Sequence, residues 1–252
     1  MHAERETASI VDRSTHLRIE RVGSRPTAGF LAGLHGDEGS IIPALREVMR
    51  ILGEHPDRPI GDHFHCLEAH PEALARGTRM ADGVDLNRLF HASPSIDHPK
   101  GQALAELLHA HTDLHTLFTF HEDTEDDRFY FYYHPATKEL GESDTNVHTL
   151  RDRLLAKVQD LGVGLYTDID DPDFGNMIVN GYVERPADGE LDSTIEMWAV
   201  NKTHVNHPSL TRAFAFEIPG KLPQEKKSEL LAVVFTEFIL PYLSSPDFKA
   251  EP

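Results

Sequence analysis

The sequence predicts an α/β fold, with a mostly parallel or mixed sheet and helices on both faces. Three observations carry this. Short apolar runs of strand length alternate with segments of helical period along the chain. No internal repeat or low-complexity stretch points to a solenoid or a disordered tract. With 252 residues, 39% hydrophobic and 26% charged, the chain can bury a substantial core.

Taken in order, 16–22 and 28–34 read as strands separated by the turn Gly23-Ser24-Arg25-Pro26. A helix follows over 40–52, with Ile41, Ile42, Leu45, Val48, Met49 and Leu52 on one side. Residues 63–67 form a further strand, 100–111 a helix, 114–120 an apolar strand and 129–133 an aromatic one. Over 149–161 a helix keeps Leu150, Leu154, Leu155, Val158 and Leu161 in phase. The stretch 168–186 reads as a solvated loop. Its Asp168, Asp170, Asp171 and Asp173 resemble part of a calcium loop, but Pro172 sits where an oxygen ligand is needed and the closing Glu is missing. A strand over 212–218 and one long helix over 224–243 complete the pattern, in which Trp198 and Phe216 are expected in the core.

Composition excludes several functions. Lys and Arg number 24 against 42 Asp and Glu, a net charge of −18 without a basic tract. Nucleic acid and anionic membrane surfaces are therefore poor partners. No window approaches the roughly 18–20 apolar residues of a membrane helix. The first residues carry no apolar secretory region, and the single Cys66 cannot form an internal disulfide. A cytoplasmic location is expected. Seventeen histidines are unusual; most are expected at the surface, with a few available as ligands. Neither Gly-x-Ser-x-Gly nor a phosphate-binding loop occurs.

Four places carry chemistry. Gly33-Leu34-His35-Gly36-Asp37-Glu38 follows an apolar strand and precedes a helix, where α/β sheets bind ligands. His35 and Glu38 lie three residues apart, and imidazole plus carboxylate suits zinc. Taken alone, the same spacing also fits a polar strand-to-helix turn. His121 ends the strand 114–120 and would complete a two-His, one-carboxylate set with a fourth position for water. His115, six residues earlier on the same face, competes with it, and one acid among Glu122, Asp123, Glu125, Asp126 and Asp127 could orient a ligating imidazole. In the run 77–88, Arg79, Asn87 and Arg88 could grip a carboxylate, or the loop could be pinned by an Asp85–Arg88 ion pair. Finally, Glu217 stands at the end of the apolar run Phe214-Ala215-Phe216, where apolar neighbours favour a general base, unless it simply faces water.

In this order, His35-x-x-Glu38, Asp85-Leu86-Asn87-Arg88, His121 after an apolar strand, and Glu217 in Phe-Ala-Phe-Glu-Ile-Pro resemble the zinc carboxypeptidase superfamily. The segment His70-Pro71-Glu72-Ala73 through Thr78-Arg79 to Leu89-Phe90 is particularly similar to its succinylglutamate desuccinylase/aspartoacylase branch. The resemblance spans about 33–220. It implies one zinc carboxypeptidase-like catalytic domain over 1–252, a three-layer α/β/α sandwich around a mixed, largely parallel sheet. It implies one Zn2+ held by His35, Glu38 and His121, with Glu217 as general base and proton donor. Arg79 would stabilise the oxyanion, and Asn87 and Arg88 would bind the substrate's carboxylate. The chain departs from the pattern in places. His70 replaces the usual Asn, Glu122 and Asp123 replace the small residues that often follow the third ligand, and Tyr130, Tyr132, Tyr133 and Tyr182 all compete for the substrate-capping tyrosine. Only 35 residues follow Glu217, against the C-terminal β-rich domain of aspartoacylase-type chains, so an open, carboxypeptidase-like cleft is expected.

The expected activity is zinc-dependent cleavage of an amide next to a free carboxylate, on a small carboxylate-bearing substrate or short peptide. The alternatives are an N-acyl amino acid deacylase and, from another class, a non-catalytic zinc-binding module. The oligomeric state is left open.

Overall fold

A computed structural model describes residues 7–12, 17–54, 61–81, 83–90, 98–135, 138–171, 176–184 and 211–245. Trp198, Pro172, Asp173 and Pro186 lie outside them. Along the chain come β1 (Thr7–Asp12), β2 (Leu17–Val22) and β3 (Ala28–Ala32), then a 3-10 turn (Gly36–Ile41) running into α1 (Ile42–Glu54). Next are β4 (His63–Cys66), α2 (Pro71–Arg76), a second 3-10 turn (Leu86–Phe90) and α3 (Pro99–His109). The strands β5 (Thr116–Asp123) and β6 (Arg128–Pro135) precede α4 (Lys138–Ser143) and α5 (Thr145–Asp160). Short strands β7 (Gly164–Leu165), β8 (Asp168–Asp171), β9 (Asn176–Ile178) and β10 (Tyr182–Glu184) follow. After them come β11 (Arg212–Pro219), α6 (Gln224–Val234), a π-helical turn (Phe235–Ile239) and α7 (Leu240–Ser244).

The main sheet runs β1-β2-β4-β3-β5-β11-β6-β10, with β7 also on β6, while β8 and β9 pair separately. Its centre, β4-β3-β5-β11, is parallel throughout. Antiparallel pairs flank it, β2 on β4 and β6 on β11. Alternation along each strand splits the side chains between two faces. On one face Phe30, Phe118, Phe120, Phe214 and Phe216 pack against Leu45 of α1, Leu154 of α5, Leu231 of α6 and Phe238 of the π-helical turn. On the other, Leu31, Leu117 and Ala213 meet Leu104 and Leu108 of α3. Helices thus cover both faces, giving the α/β sandwich that the sequence predicts. His121 has the parity of Leu117 and therefore rises on the α3 face.

Several boundaries shift for identifiable reasons. Pairing of β5 with β11 continues to Asp123↔Pro219, so His121 lies inside the strand rather than just after it. The helix expected from residue 149 starts at Thr145, because Asp144 caps it by accepting the Val147 N–H at 3.1 Å. The helix expected from residue 40 is preceded by the 3-10 turn, and α1 proper starts at Ile42. The single long helix over 224–243 is interrupted by the π-helical turn. Pro241, at the start of α7 just beyond that turn, lacks an N–H and its ring opposes the carbonyl one turn earlier. The stretch 168–186 is not one loop, since it contains β8, β9 and β10. Phe216 is fully buried, stacked between Phe120 and Phe131. No helix among the described residues is long and apolar enough to cross a membrane.

Candidate metal centre and active site

The site starts where β3 ends. Gly33 adopts φ +69°, a left-handed conformation that glycine takes without strain, and redirects the chain into the 3-10 turn. Gly36 is needed for a different reason. A Cβ there would lie 2.0 Å from the backbone of Ala73 and 2.4 Å from the Thr78 carbonyl. Its N–H donates to that carbonyl at 3.1 Å, which seats the turn against the segment carrying Arg79. His35 thereby stands just ahead of the turn and Glu38 inside it, both buried.

His121 reaches the same point from β5. Glu38 lies between the two imidazoles, with His35 Nδ1 2.5 Å from Oε1 and His121 Nδ1 3.0 Å from Oε2. One potential ligand atom from each of the three falls within 4.8 Å of the others. Burial alone would raise the Glu38 pKa, but the facing imidazoles outweigh it and hold the carboxyl down at about 2. Burial likewise works against a charged His35, yet Asp85 and Glu38 raise its pKa above the ordinary value. Two imidazole nitrogens and a carboxylate, buried and convergent, form a donor set that fits a divalent cation.

Asp85 completes the arrangement. Its Oδ1 lies 3.0 Å from His35 Nε2 and accepts the Asn87 N–H at 3.0 Å. Its Oδ2 accepts from Arg79 Nε at 3.2 Å. Burial opposes its charge, but these partners keep its pKa well below the carboxylate range. A carboxylate behind a ligating imidazole fixes ring orientation and raises ligand basicity. From the sequence that role falls among the acids after His121, and Asp85 reads as a possible ion-pair partner of Arg88. In the structure the Asp85 carboxylate goes to His35 and Arg79, and its carbonyl accepts the Arg88 N–H at 3.1 Å. The available signal was position: Asp85 opens the run that also holds Asn87 and Arg88.

Arg79 borders the cluster, 44% exposed, with Nη1 3.5 Å from Glu38 Oε1. Asn87 is buried and Arg88 half-buried on the second 3-10 turn. Glu217 is paired in register with His121 on one side and Tyr130 on the other. Registered neighbours share a sheet face at a strand spacing of about 4.8 Å, so Glu217 rises beside His121. Of the four candidate tyrosines, Tyr130 therefore stands next to Glu217, donating to Asp123 at 3.2 Å. Tyr133 lies on the opposite face and donates to Asp144, and Tyr182 donates to Glu184. Tyr132 shares the parity of Tyr130 one pair further along β6 and is buried. His115 precedes β5 at the far end of that strand, about 20 Å from His121 at strand rise, and does not join the cluster.

The model of the succinylglutamate desuccinylase/aspartoacylase catalytic domain matches residues 24–174. That span holds His35, Glu38, Arg79, Asn87, Arg88 and His121, whereas Glu217 lies beyond it. No curated protein sequence matches the chain. Among solved structures, a candidate metallopeptidase from Shewanella amazonensis SB2B superposes with a TM-score of 0.69 at 18% identity, covering 92% of this chain and 86% of the other. The succinylglutamate desuccinylase of Chromobacterium violaceum gives 0.55 at 11% identity, covering 94% and 74%. Carboxypeptidase A of Helicoverpa armigera gives 0.60 at 13%, covering 93% and 67%. At these identities the likeness is one of fold.

Proposed function

The chain belongs to the succinylglutamate desuccinylase/aspartoacylase catalytic-domain family, and on that premise we propose that it is a zinc-dependent hydrolase, one catalytic domain that cleaves an amide bond next to a free carboxylate. The observation that carries this is the buried meeting of His35, Glu38 and His121 beside Glu217. His35, Glu38 and His121 would hold the zinc ion, which would supply a Lewis acid and a water that ionises near neutral pH.

The chain's own residues do the rest. Glu217, one strand from His121, takes a proton from the attacking water and returns it to the leaving amine. Arg79, at the exposed rim, offers guanidinium N–H groups to the oxygen that becomes negative. Arg88 and Asn87 bind the substrate carboxylate and so turn binding into orientation. Asp85, 3.0 Å from Nε2, would hold His35 in the tautomer whose Nδ1 is available as a ligand.

Family membership and the run from His70 to Phe90, inside the matched span, favour an N-acyl amino acid over a peptide as substrate. The test is metal content together with hydrolysis of a panel of N-acyl amino acids and short peptides. Stoichiometric zinc with cleavage of the acyl amino acids is expected. Cleavage confined to peptides transfers the assignment to a carboxypeptidase. Stoichiometric zinc with no cleavage across the panel reduces the protein to a binding module.

A further inference from the structure

Behind the candidate centre, on the face of β5 that α1 and α6 cover, lies a second polar cluster that the proposed chemistry does not use. Glu122 follows His121, and strand alternation turns it to the opposite face. There it is buried, and its Oε1 accepts both from Ser40 Oγ at 2.6 Å and from the Lys227 ammonium. Lys227, buried in the first turn of α6, also donates to Ser40 Oγ at 2.9 Å. Ser40 stands two residues after Glu38, and the Glu122 N–H reaches Glu38 Oε2 at 3.4 Å.

Three chain segments meet in this cluster. The 3-10 turn, which also holds Glu38, brings Ser40; β5, which also holds His121, brings Glu122; and α6 brings the cation. Burying an ammonium and a carboxylate costs several kcal/mol per ion, and an apolar substitute of the same size would often serve stability as well. Its location is informative: the hydrogen bonds span the two segments whose separation sets the distance between Glu38 and His121. We propose that Ser40, Glu122 and Lys227 are positioning residues for the metal centre, clamping the liganding turn to the liganding strand. This rests on the reading that His35, Glu38 and His121 bind zinc.

Ser40 is the place to test it, because it is exposed and its hydroxyl can be removed without opening the core. The parent protein, Ser40→Ala and Ser40→Thr would be stripped of metal. Zn2+ affinity would be measured by competition with a chromophoric chelator, and the melting temperature taken on the metal-free proteins. Ser40→Ala is expected to lose about tenfold in Zn2+ affinity, the lower end of what residues behind metal ligands contribute. Its metal-free melting temperature should stay at the parent's value, and Ser40→Thr should restore the affinity. A Lys227→Met, Glu122→Gln double variant, which removes both charges together, should weaken Zn2+ in the same direction. Unchanged affinity in Ser40→Ala, or a loss that merely follows a lower metal-free melting temperature, overturns the clamp while leaving the metal centre standing. Failure of the parent itself to bind Zn2+ overturns both.

Discussion

The two ends of β11 carry two buried ionic clusters built on different plans. At the amino end Arg212 Nε donates to Asp144 Oδ2 at 2.6 Å, Tyr133 donates to the same oxygen at 3.0 Å, and Asp144 Oδ1 caps α5. Burial and the nearby carboxylate push the Tyr133 hydroxyl far above its usual pKa, so it stays a donor. That cluster is closed, because the permanent charge of arginine balances its carboxylate, whose two oxygens accept from Arg212, Tyr133 and the Val147 N–H. At the carboxyl end, near Glu217, the groups closest to Glu38 are imidazoles, whose charge depends on bound protons, while the guanidinium of Arg79 stands further out at 3.5 Å. A divalent ion can take the place of those protons. A cluster closed by a fixed cation is architecture. One balanced by exchangeable protons is equipped to bind a metal.

Substitutions at the two ends should therefore fail in different ways. Glu217→Gln should lower kcat by about 10²–10⁴-fold on whichever substrate the panel identifies, the range for a positioned proton-transfer group. Metal content and urea midpoint should stay at the parent's values. A loss of stability in place of rate would make Glu217 architectural too. At the other end Arg212→Met leaves Asp144 buried without its cation and should cost about 3–5 kcal/mol in urea unfolding. Bound metal per folded chain should not change. If metal uptake falls as well, the two clusters are coupled through the strand. Smaller again, Asp85→Asn should weaken Zn2+ binding by about 10–100-fold, since it alters what holds His35 rather than one of the proposed ligands. An unaltered Zn2+ affinity would mean that ring orientation is fixed by packing.

Much of the fold and of the candidate site is legible in the sequence, and the residues that escape it share a physical reason. Strands over 114–120 and 212–218 are readable because their apolar runs are buried on both faces. The ends are harder. Backbone pairing carries β5 on through His121 to Asp123, where the side chains turn polar and composition no longer signals a strand. His35, Glu38 and His121 are visible as residue types near the carboxyl ends of predicted strands, where α/β sheets place their ligands. Asp85 as the partner of His35 is not, because fifty residues separate them and only the tertiary fold brings them to 3.0 Å. The same holds for Lys227 and Ser40, 187 positions apart. Glu122 reads from the sequence as one of five closely spaced acids without distinction, whereas the alternation of β5 turns it into the interior.

The pH dependence of the metal-free protein gives the finest division between the two ends. Glu38 is held at about 2 against an ordinary 4.5. A depressed carboxylate stabilises the fold above its unfolded value and loses that contribution as pH falls through its folded one, so the Glu38 contribution disappears between 4.5 and about 2. Asp85 is depressed too and reinforces this acid limb. His35 has the opposite sign. Raised above 6.5, its charged form stabilises the fold below that value, and the contribution is lost as pH rises through the folded pKa. Urea unfolding of the metal-free parent against Glu38→Gln should therefore show the largest stability difference between these limbs, narrowing toward acid as Glu38 takes up its proton. The variant removes one of the two carboxylates that raise His35, so the alkaline limb should shrink with the acid one, Asp85 sustaining the remainder of both. Arg212→Met leaves Glu38 and His35 in place, so both limbs should persist at its lower overall stability. A parallel offset between parent and Glu38→Gln at every pH would mean that the imidazole–carboxylate cluster is as closed as the arginine pair at the other end of the strand.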